Sequence, residues 1–155
     1  MNKIFTLLIL VTVLAGCAST DNSSFSSALW KEWKLIEVHI ENPIVTREVL
    51  FDRASLSKEN AGKAFTLKFE EDKLSGTAAP NTYSGPYTLG EEEKSITISP
   101  LVTTMMAALW QPERIREQDY FLYMSNVYKW DIVENRLILF TKNEADQEVL
   151  MVFSR

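Results

Sequence analysis

A chain of 155 residues with 46% hydrophobic and 24% charged side chains has ordinary globular composition and the length of one domain, which excludes extended disorder and a polytopic membrane protein. Its formal charge of -5, from 21 acidic and 16 basic residues, supplies no basic field to displace counterions from a phosphate backbone, so no nucleic-acid partner is expected. One cysteine and one histidine exclude an internal disulfide and a Cys/His zinc cage.

Met1-Asn2-Lys3 precedes an apolar run from Ile4 to Leu14 that is interrupted only by Thr6 and Thr12. A single Lys before a short apolar run ending in small residues reads as a secretory signal, too short for a comfortable membrane span. The junction Leu14-Ala15-Gly16-Cys17 resembles the bacterial lipobox, in which the peptidase cuts between the small residue and a diacylglycerol-bearing cysteine. Cleavage between Gly16 and Cys17 makes Cys17 the mature, lipidated N-terminus. The expected organisation is a signal peptide over 1–16, a lipidated polar linker over 17–28 and one domain over 29–155. Since Lys3 is the only charge removed, the mature balance is 15 basic against 21 acidic. Each buried acyl methylene contributes about 0.8 kcal/mol, so two or three chains on Cys17 hold the protein on a bilayer without a basic patch. Ala18, where an aspartate would favour the inner membrane in enteric-type lipoproteins, points to the outer membrane of a diderm host, facing the periplasm.

The stretch from Ala18 to Ser27 is polar and rich in small residues, as a flexible stalk is. Trp33 to Ile40 then alternates, predicting a strand with Ile36, Val38 and Ile40 on one face and Glu37 and His39 on the polar one. Between Glu41 and Gly62 the period is lost, and the polar stretch from Arg53 to Asn60 suits a helical turn. Phe65, Leu67 and Phe69 alternate with polar residues and lead through Glu71-Asp72 into Leu74 to Thr77, a hairpin. Further strands are predicted over 82–89 and 95–98, joined by a solvated acidic turn at Glu91-Glu92-Glu93. Leu101 to Trp110 is apolar, and Gln111-Pro112-Glu113 resembles a helix start with Pro in the first turn, which predicts a helix from Pro112 to about Asn126. Three strands close the chain, over 128–133, 136–141 and 148–154. The runs Leu137 to Phe140 and Val149 to Phe153 are apolar on both faces, so each predicts a second cover, either the helix or a partner. The expected fold class is α+β and β-dominated: a single curved, mostly antiparallel, barrel-like sheet of about seven or eight strands with one principal helix.

The chemistry-bearing candidates are few. Asn81-Thr82-Tyr83-Ser84-Gly85-Pro86-Tyr87 carries an amide, hydroxyls and phenols that suit either a structural turn or a small-molecule contact. Thr103-Thr104-Met105-Met106 is expected to pack in the core, and His39 to be solvated. No Gly-x-Ser-x-Gly elbow, His-Glu-x-x-His or phosphate-cradling Gly loop is present, so the sequence offers no catalytic residue, metal ligand set or cofactor site, and no enzyme is expected.

The order of elements and several strings resemble the META/HslJ domain family of small envelope proteins. The resemblance is carried by Trp33-Lys34-Leu35, Phe65 to Phe69, Leu74-Ser75-Gly76, Asn81-x-Tyr83-Ser84-Gly85-x-Tyr87, Ile96 to Leu101 running into Thr104-x-Met106-Ala107, Asn135 to Leu139 and Val149 to Phe153. It marks Asn81, Tyr83, Gly85, Tyr87, Thr104 and Met106 as the family-motif candidates. The family's Gly-Cys-Asn is here Ala79-Pro80-Asn81, the second cysteine of the pattern is Ala108, and the basic residue before the motif methionine is Met105. A redox role tied to those cysteines cannot operate in this chain, and an anion-binding role loses its charge. The resemblance implies a curved antiparallel sheet against a helix and links to envelope stress, antibiotic tolerance and parasite virulence, with a shape similar to secretin-pilot lipoproteins and no enzymatic activity. Two functions follow as expectations: a lipoprotein that binds or chaperones an envelope or secretion protein, or a carrier whose sheet encloses a small hydrophobic ligand.

Overall fold

The computed structural model describes residues 29–41, 47–62 and 64–155. Gly16, Cys17 and the rest of the expected signal segment and linker lie outside the described residues. The strands are β1 (Glu32–Ile40), β2 (Glu48–Asp52), β3 (Thr66–Phe69), β4 (Lys73–Ala78), β5 (Asn81–Leu89), β6 (Ile96–Ile98), β7 (Val102–Thr103), β8 (Lys129–Val133), β9 (Arg136–Lys142) and β10 (Glu148–Ser154). Among the described residues two helices of the α type accompany them, a short α1 (Lys58–Ala61) and the principal α2 (Glu117–Ser125). All pairings are antiparallel, in the order β6-β5-β4-β3-β1-β10-β9-β8, with β2 added to β1 and β7 to β5. The sheet curls until its two ends nearly meet. Ser95 bridges Lys129, the Ile96 N–H donates to the Tyr128 carbonyl at 3.1 Å, and the Trp130 N–H donates to the Lys94 carbonyl at 2.9 Å. The barrel-like sheet and single main helix expected from the sequence are both present.

Strict alternation sends one face of each strand inward. In β5 the inward set is Asn81, Tyr83, Gly85 and Tyr87. In β9 it is Leu137, Leu139 and Thr141, and in β10 Val149, Met151 and Phe153. With Trp33, Leu35, Phe65, Leu67, Phe69 and Leu74 these side chains fill the barrel interior. The expected face assignment of β1 is only half right. A register shift between Leu35 and Glu37 places Trp33, Leu35 and Val38 inward and leaves Ile36 half-buried, because a bulge moves every later side chain by one face. The β8–β9 connection is a two-residue turn, Glu134-Asn135, with φ of 49° and 64°. Two left-handed residues match the strand twist in such a hairpin.

Other expectations are corrected. The helix begins at Glu117, not Pro112. Residues 111–116 are held irregular because the Arg114 guanidinium bonds the Val49 carbonyl at 2.7 Å and Glu48 at 2.5 Å, and because Ile115 is buried. The Arg116 N–H is instead capped by the Asp119 carboxylate at 2.8 Å. The sequence leaves the second cover of β9 and β10 open between the helix and a partner, and α2 does not supply it. It packs on the inward side, where the inward hydroxyl of Thr141 donates to the Tyr123 carbonyl at 2.6 Å, and it buries Tyr120, Tyr123 and Met124. The outer residues Ile138, Phe140 and Leu150 stay half-buried, with Lys129 lying over the Phe140 ring at 5.3 Å. The segment after β1, which lacked a period, holds the strand β2 and a 3-10 turn (Arg53–Ser55) before α1.

Successive hairpin turns alternate between the two barrel ends, so the chain enters at Leu29 on one end and the β4–β5 turn opens at the other. Trp30 lies beside Tyr87, whereas Asn81 is six residues away along the same strand, about 20 Å at ~3.3 Å per residue. The family-motif residues gather around Asn81.

Candidate functional site

Asn81 opens β5 and points inward, 4% exposed. A buried amide is costly unless every donor and acceptor is met, and here all four are. Its Oδ1 accepts from the Thr104 hydroxyl at 2.8 Å and the Met106 N–H at 2.7 Å. Its Nδ2 donates to the Met106 carbonyl at 3.2 Å and to Glu117 Oε2 at 2.7 Å. The other Glu117 oxygen accepts from the Asn81 N–H at 3.0 Å, so the carboxylate at the first residue of α2 grips both backbone and side chain. A negative group there also suits the positive end of the helix dipole. Thr104 completes the clamp. Its hydroxyl accepts from the Thr82 N–H and its own N–H donates to the Thr82 carbonyl, both at 3.1 Å. Thus one residue ties β5, the 104–106 backbone and α2 together.

Two positions further along β5, Tyr83 serves the interior. Its hydroxyl donates to the Thr66 carbonyl at 2.7 Å, which leaves its oxygen to accept from the Tyr120 hydroxyl at 2.7 Å. Burial pushes the Tyr83 phenol well above its ordinary range and raises Tyr120 as well, so both stay neutral donors. Tyr120 stacks on Phe65 at 4.7 Å and meets Tyr83 edge-on at 5.7 Å. The close approach of Tyr83 requires Gly76, where a Cβ would lie 2.0 Å from the Thr66 oxygen and 2.6 Å from the Tyr83 hydroxyl. Gly85 is glycine for a similar reason, since a Cβ there would meet Leu101 Cδ2 at 2.9 Å. Tyr87 donates to the Glu70 carbonyl at 2.8 Å and meets Phe69 edge-on at 5.2 Å, holding the opposite end of the strand. Asn81-to-Tyr87 is therefore a continuous strand, not a turn, and its motif residues are bound to the protein's own groups.

The other motif string behaves differently. Thr103 to Met106 were expected in the core, yet Met105 is 98% exposed and Met106 61%. Val102 and Leu109 are exposed beside them, so four of the eight exposed large hydrophobics among the described residues fall within 102–109. The reason is geometric. Asn81 takes the backbone of Met106 inward, and its side chain is left outside. The surface also carries two open grooves. One, of about 610 Å³, has a floor of hydroxyls, Thr66, Ser75, Thr77, Thr82 and Ser84, and a wall formed by Val102 to Thr104. The other, of about 500 Å³, lies between β2 and residues 110–114.

His39, expected in solvent, is 4% exposed, with Nδ1 3.2 Å from Glu37 and Nε2 3.3 Å from Glu41. The β1 bulge places it between Leu150 and Val49 in register, so its neighbours shield it. Among the described residues no group of three or more His, Cys, Asp or Glu side chains could hold a metal. Sequence reasoning missed Arg53. Its guanidinium donates to the carbonyls of Leu35, Ala61, Ala64 and Phe65, and its burial lowers its proton affinity. These bonds support Phe65, a bulky residue at φ 34°, a backbone region that such side chains seldom adopt. A lone Arg in a polar stretch carries no sequence signal for that role. Glu117 was hidden for the same reason.

No curated protein matches the chain. Among solved structures it is similar to a DUF4847 family protein from Bacteroides vulgatus, with a TM-score of 0.57 at 11% identity, covering 84% of this chain and 96% of that one. A protein from Burkholderia xenovorans, solved by NMR, is similar over 99% of both chains, with a TM-score of 0.56 at 15% identity. At such identities the likeness concerns the fold alone. The family model described as META domain matches residues 29–155, which is the whole barrel together with the Asn81 clamp, and the chain belongs to the META domain family.

Proposed function

We propose that this protein is a non-enzymatic, lipid-anchored component of the bacterial cell envelope that binds another envelope or secretion protein, in a chaperone- or pilot-like manner, through the rim over 102–109. The observation that carries the reading is an exposed apolar segment on a backbone held over 102–106: Val102 stands out of β7, Met105 and Met106 out of the loop that Asn81 and Thr104 hold by several hydrogen bonds, and the exposed Leu109 follows them. Exposed apolar groups concentrated in one place mark interaction sites, and a loop ordered in advance loses less entropy on binding. The rim lies toward the barrel end opposite Leu29, so a domain tethered through Cys17 on the outer membrane would present it away from its anchor. A carrier of a small hydrophobe is less favoured, because Trp33, Phe65, Phe69, Tyr120 and Phe153 fill the barrel interior.

The test is native mass spectrometry of the protein extracted from its own membranes in mild detergent after brief in-cell crosslinking. A recurrent second polypeptide at fixed stoichiometry is expected, and its loss in a Leu109→Ser variant locates it on the rim. A small-mass adduct in place of a polypeptide would overturn the protein-binding reading in favour of the carrier. Replacing Cys17 by Ser is expected to release the protein from the membrane fraction; a variant that stayed there with an unmodified N-terminus would refute the anchor.

A further inference from the structure

We propose that Met105 and Met106 form a modification site at which a two-electron oxidant converts thioether to sulfoxide and reversibly switches off the apolar rim. The consequence for partner binding rests on the reading above; the chemistry of the pair does not. Thioether oxidation follows access to sulfur, and access divides the methionines of the domain in two. Met105 is 98% exposed and Met106 61%, whereas Met124 and Met151 are 0% exposed within the core. With hydrogen peroxide, the sulfur lone pair attacks one peroxide oxygen, the O–O bond breaks and an S–O bond forms. The second oxygen leaves as water with both protons, sulfur having lost two electrons and the peroxide having gained them.

The fold is built to survive this step. The bonds that hold the rim come from the β7–β5 pairing, the backbone of Thr104 and Met106, the Thr104 hydroxyl and the Asn81 amide, which the Glu117 carboxylate holds in turn, and none of them uses a sulfur. Sulfoxidation therefore changes only what the rim shows to a partner. Two flexible apolar side chains become polar hydrogen-bond acceptors beside Val102 and Leu109, and methionine sulfoxide reductases can reverse the change.

The experiment exposes the purified full chain to hydrogen peroxide in mild detergent and reads peptide masses, melting temperature and retention on a phenyl column. Met105 and Met106 should each gain one oxygen while Met124 and Met151 gain none. The melting temperature should stay unchanged, retention should fall, and reductase treatment should restore it. Oxidation of the two core methionines alongside the rim pair, or a lost melting transition, would overturn the proposal. In a Met105→Leu/Met106→Leu variant retention should survive peroxide; if it falls equally, another group is responsible and the switch is refuted. Crosslinking separates this from the docking reading. Peroxide should abolish partner capture by the wild type and spare it in the double Leu variant, whereas an untreated wild type that captures nothing sinks the docking reading and leaves the oxidation map standing.

Discussion

The two strings of the family motif are opposites in environment. Asn81 to Tyr87 turns its motif side chains into the barrel, where Asn81, Tyr83 and Tyr87 find partners within the protein. Thr104 to Met106 keeps its backbone against that strand, and the segment leaves Met105 and Leu109 almost wholly in solvent. The buried string supplies order and the exposed one supplies surface, and Asn81 joins them. A motif can therefore be structural along most of its length and still serve recognition, since what it builds is a fixed outer edge.

The largest test of the buried side is Tyr120→Ala. Removing a ring stacked on Phe65 and bonded to Tyr83 should cost about 3–5 kcal/mol in urea unfolding, as core aromatic truncations do. Next is Asn81→Ala, which leaves the Met106 N–H and one oxygen of the Glu117 carboxylate without their partner and should cost about 1–3 kcal/mol. If this variant were as stable as the wild type, the clamp would be ornamental. Alkaline pH probes the tyrosine pair. Both phenols are raised in the folded state, so their contribution is full below the unfolded value of 10.0 and falls as pH rises above it toward the folded values. Melting temperature followed from pH 9 upward should drop, and less so in Tyr83→Phe.

A smaller effect is expected at the seam where the barrel closes. Lys94 and Asp131 lie 2.7 Å apart; the hydrogen bond between them lowers the Asp131 carboxyl below 3.8 and raises the Lys94 ammonium above 10.5. The pair is therefore worth most between those values and fades as pH falls through the first or rises through the second. Asp131→Asn should lower the melting temperature slightly at neutral pH and not at acid pH, where the wild type has lost the same charge. The smallest effect on stability sharpens the comparison most. Leu109→Ser, on the exposed string, should change stability by less than about 0.5 kcal/mol while removing the partner crosslink.

Much of this architecture is legible in the sequence, because period-two patterns such as Phe65-Thr66-Leu67-Lys68-Phe69 report burial directly. Where the pattern misled, tertiary hydrogen bonds had overridden local preference. Pro112 resembles a helix start, but Arg114 anchors that stretch to β2. Met105 and Met106 read as core because apolar residues usually are, and only the bond from a strand more than twenty residues away shows that the loop is held by its backbone. The β1 bulge that buries His39 has no local signature either, since it arises from pairing with β10 and β2 at once. The motif positions could be named from the sequence, but which side of the barrel each would face could not.

Amide hydrogen exchange at Thr104 and Met106, compared between the wild type and Asn81→Ala, tests the central claim most directly. The clamp predicts slow exchange of both amides in the wild type, and fast exchange in the variant with the β9 and β10 amides unchanged. Fast exchange of the Met106 amide in the wild type would contradict it, since the apolar rim would then be a loose loop and not a surface held in place by the buried half of the motif.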